Sequence, residues 1–199
     1  MNELEDIYKK SSSGKDYTKR YLDLLSDIIS KIDTSSVDKV IKLFLKCRED
    51  GKTIFIIGNG GSAATSSHFS EDLSLGAYDK NKRPFRTISL TDNASYITAL
   101  GNDEGYENVF VGQLRCLLNK GDMVVSISGS GNSPNLLEAI DYANENGAIT
   151  VGLVGFDGGK MKDKCKHCIH VKTKKGLYAP VEDIHLILAH IISTYLMYI

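Results

Sequence analysis

The sequence predicts a doubly wound α/β fold, a parallel sheet with helices packed on both of its faces. Three observations lead there. Short apolar, β-branched runs recur along the chain, amphipathic helical stretches separate them, and two of the runs lead straight into glycine- or serine-rich turns that open a helix. Strands and helices alternating at this spacing make βαβ units, which connect right-handedly and so place helices on both sides of the sheet. Strands covered on both faces read as continuous apolar runs rather than as polar–apolar alternation.

Taken in order, residues 17–32 carry Tyr21, Leu22, Leu25, Ile28, Ile29 and Ile32 at the spacing of one helical face. A second helix, capped by Thr34 or Ser35, is expected to bury Val37, Val40, Ile41, Phe44 and Leu45. Gly51 ends it, and residues 53–57 (TIFII) form the first strand. Further strands are expected at 86–90, 123–128, 149–154 and 168–171, with helices over 63–75, 93–100, 108–118, 135–145 and 182–198. The chain then reads as a single domain: an N-terminal extension over 1–16, helices over 17–50, an α/β core over 51–175 and a terminal helix over 181–199. The segment 78–84 (YDKNKRP) interrupts this domain as a loop and does not divide it.

At 199 residues the chain is long enough for one sizeable core, and 42% hydrophobic with 25% charged residues is ordinary for a soluble globular protein. A net charge of -1 provides no general polycation for nucleic acid or an anionic membrane, so neither is expected as a partner. The N-terminal residues lack the apolar run of a signal peptide or a spanning helix, and a cytoplasmic location is expected. Four scattered cysteines fit reduced thiols. Cys165 and Cys168, with His167 and His170 beside them, have the residue types of a zinc knuckle but no second ligand pair at finger spacing, so they read as a turn entering a strand.

The two turns carry the chemistry. After the first strand comes Gly58-Asn59-Gly60-Gly61-Ser62-Ala63, where glycines let the backbone approach a ligand and the following helix offers unpaired N–H groups to an anion. Alone it also satisfies the G-x-G-x-x-A pattern of dinucleotide binding, for which Asp92 is the candidate ribose ligand. After the third strand, Ser128-Gly129-Ser130-Gly131-Asn132-Ser133-Pro134 puts three hydroxyls and several amides ahead of a helix, a cradle for a monophosphate that needs no lysine. Two such loops on successive strand ends would face one crevice. On the helix after the glycine turn, His68, Glu71 and Asp72 are spaced to approach one face, and His68 and Asp72 at i, i+4 form a natural metal-ligand pair.

GNGGSA followed by His68, SGSGNSPN after an apolar strand, Gly101-Asn102-Asp103, and a last helix with Glu182, His185 and His190 together resemble the sugar isomerase (SIS) family and, within it, the phosphoheptose isomerases, over residues 20–195. The resemblance implies a flavodoxin-like five-stranded parallel sheet, the SIS fold. It also implies a homotetramer with shared active sites that converts sedoheptulose 7-phosphate to D-glycero-D-manno-heptose 7-phosphate through an enediol, the first step of nucleotide-activated heptose biosynthesis. The family's catalytic pair falls on Asp72 and His190, and a zinc where bound on His68, Asp72, Glu182 and His190. Substrate contacts fall on Asn59, Gly60, Gly61, Ser62, Asn102, Asp103, Ser128, Gly129, Ser130 and Ser133, with Asp72 and Glu182. The family more often has glutamate at position 72 and glutamine at 182, so the shorter Asp72 could pass the base role to Glu71. A family arginine falls near Gly76, and its contact is missing or supplied from residues 80–86. A non-catalytic sugar-phosphate sensor or a replication-initiator-associating protein is the alternative, and the functional residue types at 68, 72, 182 and 190 favour catalysis. His185 is left as a surface or interface histidine, and Leu186, Leu188, Tyr195 and Leu196 as packing between subunits.

Overall fold

The computed structural model describes residues 3–199. Three helices, α1 (Glu3–Lys10), α2 (Gly14–Ile29) and α3 (Thr34–Glu49), precede the sheet. The α/β part runs β1 (Thr53–Gly58), α4 (Gly61–Glu71), a π-helical turn (Asp72–Gly76), β2 (Arg86–Ser89), α5 (Ala94–Asp103), a 3-10 turn (Tyr106–Asn108) and α6 (Val111–Leu117). It continues through β3 (Met123–Ser128), α7 (Pro134–Glu145), β4 (Ile149–Val154), α8 (Met161–Lys164) and β5 (His167–His170) to α9 (Tyr178–Tyr198).

All four strand pairings are parallel, in the order β2-β1-β3-β4-β5. This is the flavodoxin-like order, in which the direction of winding reverses between β1 and β3, so the loops leaving those two strands open a crevice at their carboxyl ends. Side-chain alternation splits the apolar core in two. Ile54, Ile56, Met123, Val125 and Ile127 face Phe44 of α3, Phe69 of α4 and Leu188 of α9. Phe55, Ile57 and Val124 face Leu114 of α6, Leu136 and Ala139 of α7, and Met161 of α8. Fully burying a ring such as Phe44 or Phe69 contributes about 1.5–3 kcal/mol, and these two pack at 5.6 Å, fastening α4 to α3.

Several expected boundaries shift. Residues 3–10, read only as an extension, form a helix. The helix expected over 108–118 begins after a 3-10 turn, because Phe110 supplies no capping side chain and the chain must bend to seat Val109 and Phe110 in the core. The glycine-turn helix does not run evenly to residue 75 but widens at Asp72 into the π turn. The last helix starts four residues early, with Pro180 in its first turn, where a missing N–H costs nothing. Of the apolar residues on α2, only Ile28 is buried, while Leu22 is 57% exposed. Leu45 is half-buried. Leu188 and Leu196, expected to pack between subunits, lie in the chain's own core, whereas Tyr195 is exposed. Among the described residues, no helix is long and apolar enough to cross a membrane.

Candidate active site

The glycine turn leaves β1 and becomes α4 within three residues. Gly60 is the N-cap, with φ +57°, a conformation that disfavours any side chain. A Cβ at Gly61 would run into the carboxylate of Glu182, which reaches across from α9. The Asn59 side chain is exchanged with that of buried Asn135 in a reciprocal amide pair, 2.9 Å each way, and Tyr106 donates to the Asn59 oxygen at 3.1 Å. The loop after β1 is thereby tied to the first turn of α7, where the serine loop ends.

The serine loop is organised from within. Gly131 N donates to Ser128 Oγ at 3.0 Å and Asn132 N to Ser130 Oγ at 3.3 Å. Asn132 in turn accepts from Lys160 N at 3.1 Å, and Met161 N donates to Gly131 O at 3.0 Å, so the loop is braced against α8. Ser133 is the N-cap of α7, yet its hydroxyl makes no capping bond and stays free for a ligand. Ser128, Gly129, Ser130 and Ser133 line a cavity of about 150 Å³ together with Asn59, Ser62, Tyr178 and Glu182. No lysine or arginine lines it. Any anion there is held by hydroxyls, amides and the helix field.

A second cavity, of about 250 Å³, is lined by Gly61, Thr65, His68, Glu182 and Asp183 among others. Glu182 is common to both and forms the wall between them. Beyond it, His68 of α4 and Asp72 at the start of the π turn meet His190 of α9, remote in sequence. His68 Nε2 and His190 Nε2 face each other at 3.0 Å. Asp72 Oδ2 lies 3.5 Å from His68 Nε2 and 3.8 Å from His190 Nε2, and Ser193 Oγ donates to the same oxygen at 3.3 Å. Phe69 is buried beside His68 and fixes the rotation of α4, so that His68 and Asp72, one turn apart, emerge on the face turned to α9. The π turn begins at Asp72 itself; such widenings recur at functional positions in helices.

These three groups fit a divalent metal. Their ligating atoms lie within 4.8 Å of one another, and two imidazole nitrogens on a tetrahedral zinc stand about 3.4 Å apart, close to the spacing here. Glu182, the fourth expected ligand, is not in this group, because its carboxylate turns towards Gly61 two helical turns away. Cys165, Cys168, His167 and His170 form no comparable group among the described residues, and burial pushes the two thiols up to about 12 and 11.

Other expectations fare differently. Glu71 is exposed and outside the triangle, so the geometry puts Asp72 and not Glu71 beside the histidines. Asn102 and Asp103 end α5, exposed and bonded to each other at 2.7 Å, and line neither cavity. Residues 80–86 feed the amino end of β2, the opposite end of the strands from the two loops, where Arg83 donates to Glu49 O at 2.6 Å and Lys82 pairs with Asp79 at 3.4 Å. Within one chain that loop supplies no cation to the site. Asp92, the ribose candidate of the dinucleotide alternative, is occupied by the hydroxyls of Ser67 and Thr91. His185 is fully buried, not a surface histidine, and burial lowers its pKa to about 4. The nearby Val154 backbone favours the charged form, but neither ring nitrogen reaches a partner at hydrogen-bonding geometry. Sequence reading passed over Asn135 and Tyr178. Only the position of Asn135 directly after the serine loop hinted at a role. A larger cavity of about 650 Å³ between α1 and α2 contains none of the singled-out residues.

The SIS domain model matches residues 16–155. The phosphoheptose isomerase of Aliarcobacter butzleri strain RM4018 is 38% identical over 156 residues, covering 78% of this chain and 81% of the relative. The solved phosphoheptose isomerase of Neisseria gonorrhoeae superposes with a TM-score of 0.78 at 30% identity, covering 90% of this chain and 92% of that one. That of Francisella tularensis gives 0.83 over the whole of both chains at 23% identity, a likeness of fold. With the SIS model spanning most of its length and relatives this similar along four fifths of theirs, the chain belongs to the SIS domain family, among the phosphoheptose isomerases.

Proposed function

We propose that this chain isomerises sedoheptulose 7-phosphate to D-glycero-D-manno-heptose 7-phosphate. The observation that carries the reading is the shared wall at Glu182, with a hydroxyl-and-amide cradle on one side and a carboxylate between two imidazoles on the other. A sugar phosphate pinned at the serine loop runs past Glu182 with its carbonyl end towards Asp72 and His190.

The reaction moves a proton between neighbouring carbons. Asp72 takes the proton from C1 of the ketose while His190 donates to the carbonyl oxygen at C2, which gives the cis-enediol. Asp72 then returns the carbon-bound proton to C2 while His190 accepts the proton of the C1 hydroxyl, which gives the aldose. Ser193 holds the Asp72 carboxylate in place with its hydroxyl. The cavity with His68 and Glu182 keeps the enediol flanked by polar groups that can stabilise its developing charge. Zinc is part of this reading: His68, Asp72 and His190 would hold it, with Glu182 as the expected fourth ligand, and when bound it supplies Lewis-acid stabilisation of the enediolate oxygens. Metal analysis of protein purified without chelator should find zinc near one per chain. None found, with added zinc changing neither turnover nor melting temperature, makes His68 structural.

The reading also includes a cytoplasmic homotetramer. Support comes from α9, where Ile191, Tyr195, Met197 and Tyr198 are exposed, more apolar surface than a solitary terminal helix usually presents. Light scattering on the purified protein measures the assembly. The decisive experiment is proton NMR of the protein with sedoheptulose 7-phosphate, where an aldose anomeric signal should grow in. No signal, with phosphate-ester binding intact, would leave a non-catalytic sugar-phosphate binder.

A further inference from the structure

The phosphate cavity has a wall that belongs to neither loop. Tyr178, the first residue of α9, lines it together with Ser128, Gly129, Ser130 and Ser133. Its ring lies so close over the serine loop that a Cβ on Gly129 would stand 3.2 Å from the ring's Cδ1. A side chain at position 129 would push the ring back by a few tenths of an ångström, so glycine there allows its close approach.

The ring is also held from behind. Phe156, two residues beyond the end of β4, meets Tyr178 edge to face, with centroids 4.9 Å apart and planes at 80°. Among the described residues Phe156 is the only non-glycine with positive φ, at +48°, a conformation a bulky residue adopts only when its surroundings impose it. Here they do. His170 Nε2 sits 2.9 Å from the Phe156 carbonyl oxygen, Thr173 N donates to the same oxygen at 3.4 Å, and the Phe156 ring is buried at 4% exposure. The strained residue thus presents a fixed aromatic edge, while Tyr178 itself remains 52% exposed at the mouth of the cavity.

We propose that Tyr178 is a ligand-binding residue of the phosphate cradle, its ring excluding water from the phosphate and its phenol hydroxyl donating to it, and that Phe156 is the positioning residue that holds it there. The chemistry of the cavity calls for such a donor. With no lysine or arginine in the lining and the Glu182 carboxylate one turn along α9, a dianionic phosphate must be satisfied by neutral donors, and the phenol adds one to the serine hydroxyls. The inference rests on the isomerase reading only for the identity of the sugar; the ligand class, a phosphate monoester or inorganic phosphate, follows from the cradle.

The test uses inorganic phosphate, followed by phosphorus NMR titration, beside turnover of sedoheptulose 7-phosphate. Tyr178→Phe should weaken phosphate binding about tenfold, as expected for one hydrogen bond to a charged group, and Tyr178→Ala should weaken it further. KM should rise by a similar factor with kcat unchanged, since a contact to the phosphate is equal in the ground and transition states. Phe156→Leu should raise KM alone in the wild type and add nothing in the Tyr178→Ala background, the signature of a residue acting through another. Unchanged phosphate affinity in both Tyr178 variants, a fall in kcat without a rise in KM, or no phosphate binding by the wild type overturns the inference. If the wild type never isomerises but loses phosphate on Tyr178→Ala, the inference stands and the isomerase reading falls; turnover with unaffected Tyr178 variants is the reverse.

Discussion

The phosphate cradle and the acid–base triangle lie on either side of Glu182, yet they are built on opposite plans. The cradle comes from one contiguous stretch whose own amides and hydroxyls are cross-bonded and braced against α8 and Asn59, so its shape exists before any ligand arrives. The triangle is contributed by two helices 122 residues apart, and its histidines stay close to half exposed, with side chains 48% and 47% accessible. On the proposed function the difference teaches that binding would be preorganised locally, whereas chemistry would depend on how α9 is laid across α4. Disturbing the cradle should therefore change affinity, and disturbing the triangle should change rate.

The largest expected effect falls on the triangle. Asp72→Asn keeps the shape and removes the base, and should lower kcat by about 10²–10⁴-fold while phosphate still binds. His190→Gln should act similarly. Near-normal turnover in Asp72→Asn, with the loss appearing instead in Glu71→Gln, would break the comparison by moving the base off the face turned to α9.

Next comes the helix that joins the two regions. His185 stands between Glu182 and His190 on α9, and burial holds its pKa at about 4, below the 6.5 of a free imidazole. The folded state therefore binds fewer protons than the unfolded chain at acid pH. Its contribution to stability is whole above pH 6.5 and is lost as pH falls towards 4, about 3 kcal/mol over the window. Urea unfolding at pH 7 and pH 4.5 should show that His185→Leu flattens this dependence; an unchanged acid slope would place the sensitivity elsewhere.

On the cradle side, Ser130→Ala or Ser133→Ala should weaken sugar-phosphate binding by about 1–3 kcal/mol per lost bond, leaving kcat in saturating substrate close to wild type. Calorimetry showing unchanged affinity in both would remove the cradle. The smallest effect is expected at Tyr21, which donates to Asp183 at 2.5 Å and whose pKa is raised by burial and by that carboxylate. Tyr21→Phe should cost about 1 kcal/mol or less in urea unfolding, since Asp183 is exposed.

The same division governs what could be read from the amino-acid sequence. The strands and the serine loop were legible because each is written in consecutive residues, TIFII as a buried strand and SGSGNSPN as a hydroxyl- and amide-rich turn before a helix, whereas the strand order came only with the family resemblance. The spacing of His68 and Asp72 gave a pair on one helix but could not say which face of α9 meets it, and His190 needed the family resemblance. Nothing local marks the π turn at Asp72 or the burial of His185, since both follow from how α4 and α9 pack. Glu182 was expected beside His190 and turns to Gly61 instead, a choice made by the missing Cβ at Gly61 that periodicity does not register. Tyr178 escaped for a related reason: its partner Phe156 is defined by a backbone angle, not by a motif.

The position of α9 in the chain has a consequence for the protein's birth. Synthesis proceeds from the N-terminus, and domains acquire structure in that direction as they emerge. All five strands and both loops are made before α9, which brings Tyr178, Glu182 and His190 to them. The serine loop and its braces are thus available to a nascent chain that still lacks one imidazole of the triangle. A ribosome-bound chain at that stage holds the serine loop without the Tyr178 and Glu182 side of its cavity, so the docking of α9 completes the core, the cradle and the triangle in one step.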